Sequence, residues 1–144
     1  PLIYAMMFGM PGIPCVYYGS EWGAKANKSE GDPALRVSFD APVYNDLSAF
    51  ITKLAEAKKN SEALNYGSFR SVVLTNRQYA YARIKDQDAI VVAANNDESP
   101  ADMSIPVPVD GTYENAFTKE AVPVVDGRLQ VHLDACESKV FRKK

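Results

Sequence analysis

The chain is poor in the residues that carry thiol and metal chemistry: its 144 residues include two cysteines, one histidine and one tryptophan. Cys15 and Cys136 lie far apart and fit neither a disulfide framework nor a zinc-ligand spacing, so both are expected as buried thiols. His132 alternates with Val131 and Leu133, which turns its ring away from the apolar face and toward solvent. A metal centre therefore has no ligand set here, a serine-histidine-aspartate reading has no support, and no cofactor is called for. Excess charge is lacking too. A net charge of -2 and a pI near 5.4 create no field for phosphate backbones, and Arg142-Lys143-Lys144 is too short to change that. Nucleic acid is excluded as a partner.

Leu2 to Tyr18 has no charged residue, but Pro11, Gly12 and Pro14 interrupt it and it falls short of the roughly 20 residues a membrane span needs. No membrane partner is expected. With neither a basic n-region nor a small-residue cleavage site, the run is not expected to be a secretory leader. A chain that opens at Pro1 within an apolar run is expected to come from something longer, whose targeting signal would lie upstream. Localisation is left open.

What is present suits a soluble globular chain: 47% hydrophobic and 24% charged residues. Leu2 to Met10 reads as the end of a buried helix, stopped by Pro11-Gly12. Ile13 to Tyr18 reads as a short buried strand, with Tyr17 and Tyr18 on opposite faces. From Gly19 to Pro42 the composition turns polar, marking a long loop that is the expected ligand-facing element. Leu47, Phe50, Ile51 and Leu54 then recur at helical spacing within Asn45 to Leu64, with Asn45 or Asp46 as the cap and Asn60-Ser61 as an end.

After Tyr66-Gly67 the period becomes alternating, which sets an expected boundary between residues 1–66 and 67–144. Phe69 to Thr75, Gln78 to Ile84 and Ala89 to Asn95 read as a three-stranded meander. Met103 to Val109 follows, placed at an edge by Pro106 and Pro108. Tyr113 to Phe117 is a further short strand, Asp126-Gly127 marks a tight hairpin between Val122–Val125 and Leu129–Leu133, and Lys139 to Arg142 closes the sheet. These short strands indicate an antiparallel β-sandwich of Greek-key type.

One segment adds chemistry to this frame. Gly12-Ile13-Pro14-Cys15-Val16-Tyr17-Tyr18-Gly19-Ser20-Glu21 closely resembles the G-x-P-x-x-Y-Y-G-x-E signature on the last barrel strand of the α-amylase family, the family-thirteen glycoside hydrolases. Gly31-Asp32-Pro33-Ala34-Leu35-Arg36 is similar to that family's loop reading D-P followed by arginine, although Arg36-Val37-Ser38-Phe39 lacks a second arginine found in many relatives. The resemblance implies an α+β fragment: the last helix, strand and helix of a (β/α)8 barrel in residues 1–66, then the all-β C-terminal sandwich in residues 67–144. A whole barrel needs about 250 residues and is not accommodated.

The resemblance also implies a retaining glycosidase as parent, acting on an α-glucan or maltooligosaccharide. Such an enzyme needs two carboxyl groups about 5 to 5.5 Å apart. In the family these lie on earlier strands, so this chain is expected to hold no catalytic residue and to be inactive alone. Its expected substrate-binding residues are Tyr18, Glu21, Asp32 and Arg36 at the cleft rim. Glu21 is expected to orient a basic group or loop backbone, and Asp32 and Arg36 either contact sugar or pair with each other. Trp22 is expected to pack under its loop. Asn27-Lys28-Ser29 fits a glycosylation sequon relevant to a secreted eukaryotic parent.

An isolated fragment of this kind exposes apolar surface and is expected to self-associate or to be disordered near Pro1. The alternative function is a non-catalytic carbohydrate-binding or structural sandwich using Tyr79, Tyr81 and Tyr113. Linkage, hydrolysis against transglycosylation, and calcium dependence of the parent are open at this stage.

Overall fold

A computed structural model describes all 144 residues. Helix α1 (Leu2–Gly9) ends where Pro11 forbids continuation. Three single-turn 3-10 segments follow in the polar loop, at Ser20–Trp22, Lys28–Glu30 and Asp32–Arg36. Helix α2 (Asp46–Lys59) begins at a capping box: Asn45 Oδ1 accepts from the Leu47 and Ser48 amides at 3.0 and 3.1 Å, while Ser48 Oγ accepts from the Asn45 amide. Asn60 and Ser61 end it as expected, and a short helix α3 (Glu62–Tyr66) starts under a second cap from Ser61. Asp88 braces that cap, accepting from Ser61 Oγ at 2.9 Å and the Ala63 amide at 2.8 Å.

Nine strands follow: β1 (Ser68–Leu74), β2 (Gln78–Lys85), β3 (Asp88–Asn95), β4 (Ala101–Pro106), β5 (Tyr113–Asn115), β6 (Ala121–Val122), β7 (Val124–Val125), β8 (Arg128–Leu133) and β9 (Ser138–Lys143). They form two antiparallel sheets, a six-stranded one in the order β1-β2-β3-β9-β5-β6 and a three-stranded one in the order β4-β8-β7. The expected meander is β1-β2-β3, with one bulge in β1 between Ser71 and Val73. β4 lies at an edge, where the missing Pro106 amide leaves no ladder bond unmade. The Val122–Val125 run divides at Pro123: β6 stays with the large sheet and β7 joins the small one. Asp126 and Gly127 both have positive φ, 50° and 69°, the geometry of a two-residue hairpin turn whose twist matches its strands.

Alternation sorts the side chains into two cores. Ala80, Ala82, Val91, Ala93 and Phe141 on the large sheet face Met103, Ile105, Leu129, Val131 and Leu133 on the small one, with Tyr113 among them. The opposite face of the large sheet carries Tyr81, Ile90, Val92 and Val140, which pack against Ala5 and Phe8 of α1, Leu54 of α2 and Ala63 and Leu64 of α3. The helices therefore cover the outer face of the sandwich.

Two expectations fail in the segment after α1. Ile13 to Tyr18 joins neither sheet and forms no ladder; Ile13 is 96% exposed. An apolar β segment is fully buried only by neighbours on its edges and both faces; here Val16 packs against the helix-covered core, and no strand pairs with either edge. Cys15 is exposed for the same reason, and Cys136 is exposed in a tight turn at φ 53°. The expectation of two buried thiols is thus corrected.

Candidate functional site

The turn at Ser20–Trp22 is assembled by glycine geometry and by three outside hydrogen bonds. Gly19 has φ 85°, and a Cβ there would lie 2.7 Å from the Phe39 ring, so backbone conformation and packing both demand glycine. Tyr4 of α1 donates its hydroxyl to the Ser20 carbonyl at 2.9 Å. From the start of α2, Ser48 Oγ donates to the Glu21 carbonyl at 2.9 Å and Asn45 Nδ2 to the Trp22 carbonyl at 3.0 Å. One helix end and one helix cap thus fix the turn.

Around it lies an aromatic cluster. Tyr17 and Tyr18 do not point to opposite faces: their ring centroids are 4.7 Å apart, because the unpaired segment lacks the pleat that would separate them. Tyr18 meets Phe39 edge-on at 6.0 Å, and Trp22 meets the same ring at 5.2 Å and 85°. Trp22 is half-buried in this packing, as expected for an indole under its loop. Tyr17, Tyr18, Ala24, Leu35, Val37 and Phe39 line a hollow of about 220 Å³.

The four expected substrate-binding residues do not all meet. Tyr18 borders the hollow, and the adjoining Tyr17 phenol raises its pKa above the ordinary tyrosine value while Arg36 works in the opposite direction. Glu21 sits behind the turn, with its Oε2 buried and without a hydrogen-bond partner. Asp32 and Arg36 are exposed on the Asp32–Arg36 turn and form no ion pair with each other, so the loop-internal pair is absent. The arrangement supplies an apolar wall, a phenol and a nearby guanidinium, groups suited to sugar faces and hydroxyls. No pair of carboxyl groups faces across the hollow.

A three-tyrosine platform does not form either. Tyr79 and Tyr81 share a face with rings 5.7 Å apart, as expected, but Tyr81 is fully buried under α1 and donates its hydroxyl to the Met6 carbonyl at 2.6 Å. Tyr113 points to the opposite core, where its hydroxyl reaches the Val109 carbonyl at 2.8 Å. His132 is exposed as expected; its Nδ1 lies 2.7 Å from Asp102 on β4 and its Nε2 3.6 Å from Asp134.

Two polar side chains that sequence reasoning passed over tie the helices down, Arg83 to the sandwich and Lys58 from α2 to α3. Arg83 is 2% exposed, and its guanidinium donates to the Gly9 carbonyl at 3.0 Å and the Gly67 carbonyl at 2.9 Å. Lys58 donates to the Leu64 carbonyl at 3.1 Å, and burial, with Arg83 nearby, lowers its pKa below the ordinary lysine value. The available signal was a charged residue on the apolar face of β2, in step with Tyr79 and Tyr81.

The fold and this turn together define an antiparallel two-sheet sandwich, covered by helices, that carries a loop-borne aromatic hollow. Residues 73–140 match the family described as the alpha amylase C-terminal all-beta domain. The chain is 29% identical over 141 residues to a beta/alpha-amylase of Paenibacillus polymyxa, covering 92% of this chain and 11% of the relative. With a cyclomaltodextrinase of a Bacillus species it shares 36% identity over 93 residues, 61% of this chain and 16% of that one. A solved cyclomaltodextrinase superposes with a TM-score of 0.88 and 25% identity over 99% of this chain and 25% of its own. Residues 73–140 thus match the C-terminal all-β domain of the α-amylase family, and the chain as a whole is similar to a C-terminal part of that family's members. It spans a small part of the length of these relatives.

Proposed function

We propose that residues 1–66 are the closing helix, strand and helix of a (β/α)8 catalytic barrel and residues 67–144 its Greek-key C-terminal domain, in a parent that hydrolyses α-glucosidic bonds with retention. The observation that carries this reading is Ile13 to Tyr18. An apolar, largely exposed, unpaired segment links a half-buried helix to an ordered turn, as a barrel strand does when its parallel neighbours belong to another part of the protein. The likeness to a solved cyclomaltodextrinase over 99% of the chain supports it, since it includes these residues.

In that parent the segment closes the barrel and the Ser20–Trp22 turn forms part of the cleft rim. Tyr18 and Arg36 contact a bound α-glucan or maltooligosaccharide from the rim, Asp32 accepts from its hydroxyls, and Glu21 orients a cationic or amide group that meets its unpartnered oxygen. The catalytic carboxyl groups come from elsewhere in the parent. This chain alone is therefore inactive.

The tests are direct. In the parent, Tyr18→Ala and Arg36→Ala raise KM for a maltooligosaccharide, each by about tenfold for a lost contact of roughly 1.4 kcal/mol. The chain by itself releases no reducing sugar. Unchanged KM in both variants overturns the rim assignment, and hydrolysis by the chain alone overturns the division of labour.

A groove of about 490 Å³ along Met6, Met7, Met10, Ile13 and Cys15 supports a second expectation, self-association of the isolated chain. Light scattering that finds only monomer at high concentration refutes it. The binding-module alternative finds no support in the tyrosines, because Tyr81 and Tyr113 are buried in different cores. No helix is long and apolar enough to cross a membrane.

A further inference from the structure

Arg83 is a buried cation with no carboxylate beside it. Its partners are instead the carbonyls of Gly9, the last residue of α1, and Gly67, which caps α3. The carbonyl end of a helix carries partial negative charge, so the Gly9 carbonyl, together with the extended Gly67 carbonyl just beyond α3, stands in for a counter-ion. The Nε–H remains buried and unpaired, a cost that the two charge-assisted bonds must offset.

The approach is too close for side chains at either carbonyl. A Cβ on Gly9 would overlap the Tyr81 hydroxyl and lie 2.7 Å from Val92 Cγ2; one on Gly67 would overlap the Ala63 carbonyl and lie 2.7 Å from the Ile84 carbonyl. Tyr81 adds its own bond to Met6 one turn earlier in α1. Strand β2 thus holds the C-terminal turn of α1 at fixed depth.

The opposite end of the same helix holds the rim turn, since Tyr4 donates to the Ser20 carbonyl. Helix α1 is therefore a strut, clamped by the sandwich at one end and bonded to Ser20–Trp22 at the other. We propose that Arg83 is a positioning residue for the Tyr18–Trp22 turn, acting through α1. Its consequence for catalysis rests on the reading of that turn as cleft rim, whereas the clamp itself does not. The sandwich then sets the placement of a ligand-facing loop from which Arg83 is separated by a whole helix.

The test uses the full chain with its single tryptophan, Trp22, as the reporter. Arg83→Met removes the fork, and Arg83→Lys keeps the charge but offers a point donor that reaches one carbonyl well. Ile105→Ala, in the inter-sheet core, serves as a control for lost stability without lost clamping. Hydrogen exchange at the Ala5 to Met10 amides is expected to accelerate about tenfold or more in Arg83→Met, with a smaller change in Arg83→Lys. Acrylamide quenching of Trp22 is expected to rise in the same order and to stay unchanged in Ile105→Ala. If Trp22 quenching is unaltered in both Arg83 variants, or rises equally in Ile105→Ala, the proposal is overturned. In the parent, a Trp22 response accompanied by unchanged maltooligosaccharide KM supports the clamp and removes the rim reading.

Discussion

Gly9→Ala is the substitution for which local and tertiary arguments oppose each other most clearly. Gly9 lies at the end of α1 with ordinary negative φ, so helix propensity favours alanine by up to about 1 kcal/mol. The added methyl, however, overlaps the Tyr81 hydroxyl and sits 2.7 Å from Val92 Cγ2, two atoms buried beneath the helix. Overpacking of this kind costs about 1–3 kcal/mol. Displacing the Tyr81 hydroxyl from the Met6 carbonyl leaves a buried donor unmatched, at about 1–3 kcal/mol more. Tertiary packing wins, with a net loss of at least about 1 kcal/mol and a fall in Tm of about 3 °C or more for a chain of this size. Urea titration followed by far-UV circular dichroism measures it, provided the urea slope is unchanged between variants. A neutral or more stable Gly9→Ala chain refutes the close helix-sheet approach and, with it, the depth at which Arg83 meets the Gly9 carbonyl.

Asn45→Ala removes the acceptor of the α2 capping box and the donor to Trp22, and is expected to cost about 1 kcal/mol in denaturation while raising Trp22 accessibility. A stability loss without a fluorescence change would show that the cap and the Ser20–Trp22 turn are independent. His132 faces Asp102, Asp134 and Lys139; hydrogen bonding to Asp102 is the main cause that raises its pKa above the ordinary histidine value, with the two acids adding and Lys139 opposing. A raised folded-state pKa means that the contribution to stability is complete below the unfolded value near 6.5 and is lost as pH rises through the folded one. His132→Gln should flatten that slope in melts taken from pH 5 to 9; an unchanged slope excludes the Asp102 bond in solution.

Most of the sandwich was legible because alternation is a property of consecutive residues. Leu129, Val131 and Leu133 name their buried face without reference to any other strand, and Asp126-Gly127 names its turn. Burial of Ile13 to Tyr18 was not legible in the same way. The residues have strand character, but no other segment of the chain pairs with them, so Cys15 and Ile13 face outward and the two tyrosine rings close on each other. Glu21 follows the same logic: its position in the signature was readable, while its buried, unpartnered oxygen became visible only in the folded Ser20–Trp22 turn. Arg83 inverts the problem. A charge on the apolar face of β2 reads as a misfit until two helix ends converge on it, and no local pattern announces that Gly9 and Gly67, 58 residues apart in the chain, will present their carbonyls to one guanidinium. Together these positions explain how the sandwich is joined to the Ser20–Trp22 turn through a helix: the strut that Tyr4 bonds to Ser20 can be no better placed than the β2 side chains that hold its other end.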